Sequence, residues 1–132
     1  MDSRAFEEAA NEIFAALPSR FIGSLQNVVI MVSDFPDEAV RREMQLETPY
    51  DLLGLYQGFP ITERSISDSG LLPDLIHLYR LPILTFCEET GEQVMHCIRH
   101  VLVHEIGHYF GFSDEEMEAI EAGAKDLEKM NE

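Results

Sequence analysis

The feature that most constrains the fold is a long helical pattern, free of proline, between residues 91 and 111. Its apolar side chains recur at three- and four-residue steps, which is the spacing of one face of an α-helix. These positions include Val94, Ile98, Val101 and Leu102. Gly111 ends the pattern, because glycine readily adopts the left-handed conformation that closes a helix. This is the longest element that the sequence predicts.

Two histidines on this helix, His104 and His108, are four residues apart. They lie about 40° apart around the axis and about 6 Å apart along it, so both imidazoles can bind one ion. A catalytic zinc has three protein ligands and one open position. Glu105 follows the first histidine, so its carboxylate sits beside the ion, where it can accept a proton from the water that zinc activates. The pattern therefore predicts a Zn²⁺ site with Glu105 as general base.

The third ligand has to come from outside the helix, and Asp114 is the candidate. Gly111 lies three residues after His108, and the turn that it allows brings Asp114 within reach of the metal. The whole pattern reads His-Glu-x-x-His-x-x-Gly-x-x-Asp over residues 104–114. A chance match to so many spaced positions is rare in ordinary compositions.

An alternative stays open for Asp114. Ser113 and Glu116 form a capping-box pattern at the start of the next predicted helix, and an aspartate in a first turn stabilises a helix without binding metal. His96 and His100 continue the four-residue spacing backward, but no glutamate or glycine turn accompanies them. We interpret these two histidines as surface or supporting residues rather than as ligands.

The rest of the chain alternates helix and strand patterns. Besides the helix above, helices are predicted before Pro18, over residues 37–45 and, strongly acidic, over residues 113–129. Strands are predicted at residues 27–32, 52–56, 75–80 and 83–87, the first of them buried on both faces. The length and this order predict one α+β domain over residues 1–132, with helices packed on a small mixed sheet.

The net charge restricts the classes of binding partner, and the search for a signal peptide bears on the cellular location. With 25 acidic and 9 basic residues the formal net charge is −16, so nucleic acid and anionic membranes would be repelled. Neither a signal-peptide pattern nor a membrane-spanning run is recognisable, and a cytoplasmic location is expected. Cys87 and Cys97 are then expected to be thiols. The oligomeric state stays open.

Beyond the histidine helix, the order of segments resembles the minimal zincin-like metallopeptidases, small bacterial proteins built around a His-Glu-x-x-His helix. The likeness rests on residues 53–64, residues 72–76 and residues 103–108, followed by Gly111 and Asp114. It differs from the metzincin pattern, which has a histidine as third ligand and a separate methionine turn. Here only 18 residues follow Asp114.

The resemblance implies a compact α+β zincin-like core, with a small mixed sheet over the active-site helix and helices at both ends. It implies zinc at the positions matching His104, His108 and Asp114, and a general base at the position matching Glu105. By analogy, a peptide or protein substrate would lie along an edge strand, for which residues 53–57 are the candidate.

The expected function is zinc-dependent hydrolysis of peptide bonds, in which Glu105 passes the proton to the leaving amine. The developing oxyanion needs a donor, and Arg64, Tyr56 and Tyr79 are candidates by their chemistry. The alternative is a non-catalytic metal-binding protein that holds a partner through its acidic surface or edge strand. Glu105 disfavours this alternative, because a structural site has no use for that carboxylate.

Overall fold

The fold is a mixed α+β arrangement, as the sequence predicts. In a computed structural model of the protein, the described residues are 1–22, 27–58 and 73–130, and for residues 20 and 123–130 only the backbone is described. The elements in chain order are α1 (Ser3–Ala15), α2 (Ser19–Ile22), β1 (Val28–Ser33), α3 (Glu38–Glu43), β2 (Gly54–Gln57), β3 (Asp74–Tyr79), α4 (Arg80–Thr90), α5 (Val94–Phe110) and α6 (Asp114–Met130). Within the described ranges, no helix combines the length and hydrophobicity that a bilayer span requires.

The three described strands form one sheet in the order β1-β3-β2. Strand β1 runs parallel to β3, whereas β2 is antiparallel to β3, with Gly54 opposite Leu78 and Leu55 opposite His77. The prediction that β1 is buried on both faces is wrong, because Val29 and Met31 are 41% and 44% exposed. Helix α1 packs on one face of β1, and the side chains that alternate with that face point outward.

Helix α5 is the centre of the core. It contacts α1, α4 and α6 as well as strands β2 and β3. Ile98, Leu102 and Ile106, each four residues after the last, are fully buried, which places them on one stripe of the helix. They pack in one cluster with apolar side chains of α1 and β3, among them Phe6 and Ile76. The predicted core stripe of this helix is confirmed.

The brief strand predicted at residues 83–87 is wrong, because these residues lie in helix α4. A short apolar run gives no clear period, so it fits a buried strand or a buried helix equally well. Ile83 and Cys87 are both buried and are four residues apart, which is helical spacing. Pro82 is tolerated because it lies in the first turn, where its missing N–H costs no helix bond.

Both cysteines are buried free thiols, as expected. Cys87 lies on α4 and Cys97 on α5, and the two side chains share a hydrogen bond. Burial, together with that hydrogen bond, raises the pKa of Cys97 to about 12. A thiol that stays protonated in the core packs like a small apolar side chain.

Candidate metal centre

The end of α5 has the turn that the glycine spacing predicts. Gly111 adopts a left-handed conformation with φ 78°, and the N–H of Phe112 donates to the carbonyl of Gly107 over 2.8 Å. This bond pattern closes a helix and reverses the chain. Close approach of the returning helix requires glycine at 107 as well, because a Cβ there would collide with the side chain of Met117. Helix α6 therefore packs directly on the histidine-bearing end of α5.

The start of α6 carries the capping box. The N–H of Glu116 donates to Ser113 Oγ, and the N–H of Ser113 donates to Glu116 Oε1, each over 3.1 Å. Asp114 is the first residue of the helix and is exposed. Its carboxylate acts electrostatically on His104, in the direction that raises the pKa of the imidazole. The capping prediction is confirmed, while the role of Asp114 as a metal ligand stays a prediction.

His100, His104 and His108 form a row along one side of α5. The ring centres of His104 and His108 are 5.7 Å apart, and those of His100 and His104 are 4.0 Å apart. With nitrogen–zinc distances of about 2.0–2.1 Å, two imidazoles on one tetrahedral ion have ring centres roughly 5 Å apart. The ring centres of His104 and His108 are slightly farther apart than this value, and those of His100 and His104 are closer together.

A second group of donors shares His104. Among the described residues, His100, His104 and Glu121 bring one ligand atom each to within 4.8 Å of one another. Glu121 Oε1 lies 2.9 Å from His100 Nδ1, and Glu121 Oε2 lies 4.0 Å from His104 Nε2. Two imidazoles and a carboxylate are a donor set that fits zinc and related divalent metals. This part of the molecule can therefore hold a metal ion around His104.

Two members of this group are not among the ligands that the sequence predicts. His100 is interpreted from the sequence as a surface or supporting residue, and it lies directly beside His104. Glu121 is not singled out by the motif, although a signal is present in the spacing. It follows Asp114 by seven residues, or about two helical turns, so both carboxylates lie on one face of α6. The antiparallel return of α6 places this face along the histidine row.

The environment of His104 favours its neutral form. Burial is the largest cause, and the neighbouring His100 adds to it, so that the pKa of His104 is lowered. Glu121 and Asp114 act in the opposite direction but do not reverse the shift. A neutral imidazole is the form that binds a metal.

Glu105 faces the sheet rather than the solvent. Its Cγ lies 3.6 Å from where a Cβ on Gly54 would be, so the missing side chain of Gly54 makes room for α5 against β2. The backbone N–H of Tyr56 donates to its carboxylate. Burial, as the largest cause, raises the pKa of Glu105, and His108 acts in the opposite direction. A carboxylate with a raised pKa is a better proton acceptor near neutral pH.

Two of the three candidate oxyanion donors lie in the described residues. The hydroxyl of Tyr56 donates to the buried Asp74 over 2.6 Å, and its ring stacks on Tyr109, so this side chain serves the packing of β2. Tyr79 is buried, and burial raises its pKa to about 12, so its hydroxyl remains a donor. Arg64 lies outside the described residues.

Comparisons with known proteins bear on the family and on the fold. A sequence profile of the zincin-like metallopeptidase family matches residues 25–124. A search of the curated proteins gave no match. Among solved structures, a conserved hypothetical protein from Thermus thermophilus is similar at 24% sequence identity, with a TM-score of 0.52. The alignment covers 83% of this chain and 94% of that one, and it supports the fold alone.

Proposed function

Because the chain belongs to the zincin-like metallopeptidase family, we propose that it is a zinc-dependent peptidase that hydrolyses peptide bonds with Glu105 as general base. The observation that carries the proposal is the position of Glu105 between the histidine row and strand β2. When bound, zinc would polarise the scissile carbonyl and acidify a water molecule. A carboxylate beside that ion but outside its ligands is the group this chemistry requires.

We propose His104, His108 and Asp114 as the zinc ligands. The separation of 5.7 Å between the rings of His104 and His108 is closer to the value of roughly 5 Å for a shared tetrahedral ion than the 4.0 Å between His100 and His104. His108 also acts electrostatically on Glu105, so the base lies nearer to this pair. In this arrangement Glu121 accepts a hydrogen bond from His100.

Glu105 would accept a proton from the attacking water and pass it to the leaving amine. Its half-buried position keeps bulk water from competing for that proton, and the Tyr56 N–H fixes the direction of the carboxylate.

The substrate would lie in extended form along β2. Among the described strands, β2 pairs with β3 on one side only, and it lies directly over α5. Backbone groups of an extended peptide can pair with such an edge without much demand on its side chains. The scissile bond and the residues on either side of it would then lie close to Glu105.

The test combines metal content with hydrolysis. Zinc is measured by elemental analysis after dialysis, and cleavage is followed on an unstructured protein substrate by mass spectrometry. We expect about one zinc per chain, lost in His108→Ala and Asp114→Ala and retained in the matched pair His100→Ala and Glu121→Gln. Loss in the second pair with retention in the first would move the site to His100, His104 and Glu121. No zinc in the wild type after reloading would refute the proposal.

Glu105→Gln separates the peptidase from the non-catalytic alternative. The substitution removes the proton acceptor and keeps the shape of the side chain, so zinc content should stay the same. Hydrolysis should fall by at least about 100-fold, which is the usual contribution of a general base. If wild type and variant are equally inactive while both hold zinc, the protein binds metal without turnover.

A further inference from the structure

A cavity lies on the outer face of the sheet, which is the face turned away from α5. Its volume is about 560 Å³, within the usual range for small-ligand sites. Leu55, Gln57, His77 and Tyr79 line it from the sheet. Leu55 is the cross-strand partner of His77, and such partners point to the same face, so this side of the cavity is built from outward side chains of β2 and β3.

The opposite wall of the cavity comes from α3 and the segment before it. Phe35, Val40 and Met44 give it an apolar surface, and Asp37 and Glu43 add two carboxylates. An apolar surface with carboxylates on the same wall fits a side chain with a methylene stem and a cationic head. The formal net charge of −16 favours the approach of such a group.

The sheet side of the cavity adds no opposing charge. His77 Nε2 lies 3.0 Å from Gln57 Oε1, so ring and amide are hydrogen-bonded to each other. Burial lowers the pKa of His77, with Asp37 acting in the opposite direction, and this shift favours the neutral imidazole. The cavity is therefore acidic on the α3 side and uncharged on the sheet side.

The cavity and the candidate catalytic base share strand β2. Leu55 and Gln57 line the cavity, while Gly54 of the same strand lies against Glu105. A peptide paired with β2 would point alternate side chains to the two faces of the sheet. Its residues opposite Leu55 or Gln57 would face the cavity. A side chain there would be held close to the bond that Glu105 acts on.

We propose that this cavity is a specificity subsite for a lysine or arginine side chain of the peptide substrate, an inference that rests on the proposed peptidase function. The apolar wall would hold the methylene stem, and Asp37 and Glu43 would hold the cationic head. The enzyme would then prefer basic peptides over neutral peptides of the same shape.

The experiment uses alanine hexapeptides with both termini blocked. Each peptide carries one lysine or one norleucine, and the series places that residue at each of the positions in turn. Norleucine keeps the stem and removes the charge. Binding is measured by calorimetry with the metal chelated, and hydrolysis is measured separately with zinc present. Binding therefore tests the subsite even when no peptide is cleaved.

The double variant Asp37→Asn with Glu43→Gln removes both carboxylates and keeps side-chain shape, and asparagine still caps α3. The matched control is Asp2→Asn with Glu38→Gln. Asp2 caps α1 as Asp37 caps α3, and Glu38 lies on α3, while neither residue lines the cavity. Both double variants change the net charge equally, so a difference between them reports the site and not the overall field.

At one position in the peptide, we expect the lysine peptide to bind about tenfold more tightly than the norleucine peptide, both to the wild type and to the control variant. That preference should disappear in Asp37→Asn with Glu43→Gln. The subsite is refuted if neither peptide binds, if lysine has no advantage, or if both double variants lose it equally. A preference that persists without any hydrolysis supports the subsite and contradicts the proposed peptidase.

Discussion

The two sides of helix α5 differ sharply, although they belong to one 17-residue element. One side carries Ile98, Leu102 and Ile106, which are fully buried against the sheet and the neighbouring helices. The other carries the row of His100, His104 and His108, which lies along α6 and is partly open to solvent. The first side should govern folding and the second metal binding.

This division follows from how much apolar surface each side chain removes from water. Burying a large aliphatic side chain contributes about 1.5–3 kcal/mol, whereas an exposed imidazole contributes little to the packing. The histidines can therefore be altered without unfolding the protein, and changes in the core stripe need not alter the donors. Substitutions on the two sides should separate stability from metal content.

The largest effect is expected in the core stripe. Leu102→Ala should lower the free energy of unfolding by about 3 kcal/mol, because it removes a buried side chain and leaves a cavity. Urea denaturation of the metal-free protein measures it. The matched control is Met95→Ala on the same helix, where a side chain that is 41% exposed should cost less than about 0.5 kcal/mol. Equal losses would contradict the proposed division of the helix.

The next largest effect is the stabilisation of the folded protein by zinc, which depends on the histidine side of α5. Zinc at about 100 times its dissociation constant should raise the free energy of unfolding by about 2.7 kcal/mol, because it binds the folded state. Thermal unfolding with and without zinc should show no such gain in His104→Ala, which removes the donor that both groups share. An undiminished gain in that variant would place the metal elsewhere.

A smaller effect is expected at the start of α6. Ser113→Ala should lower stability by about 1 kcal/mol, because the N–H of Glu116 loses its acceptor. Ser3→Ala is the control, since Ser3 begins α1 but Asp2 caps it. Denaturation of both variants in chelator would test this. A loss of zinc in Ser113→Ala without a loss of stability would mean that the turn mainly positions Asp114.

The sequence predicted what local periodicity determines. The buried stripe of α5, the left-handed Gly111 and the capping box at Ser113 all follow from neighbouring residues, and all are present. The prediction of a strand at residues 83–87 is wrong because four or five apolar residues carry no clear period. The prediction that both faces of β1 are buried is wrong because burial of a face depends on which helices pack on it, and α1 packs on one face of β1.

The candidate site was predictable only in part for the same reason. Spacing within α5 identifies His104, Glu105 and His108 as neighbours, since one helix holds all three. Glu121 comes close to His104 only because α6 packs on α5. The cavity forms only because β2 pairs with β3. Contacts of this kind depend on how distant segments pack, which no local pattern determines.

The smallest effect concerns the His100–Glu121 contact of 2.9 Å, the one place where the histidine side has a strong polar partner in the described residues. His100 is about half exposed, so water competes for its hydrogen bond. A double-mutant cycle with His100→Ala and Glu121→Ala in the metal-free protein should give a coupling of about 0.5 kcal/mol. Coupling above about 2 kcal/mol would mean that the histidine side is structural as well. A small coupling together with retained zinc would leave His108 and Asp114 as the partners of His104.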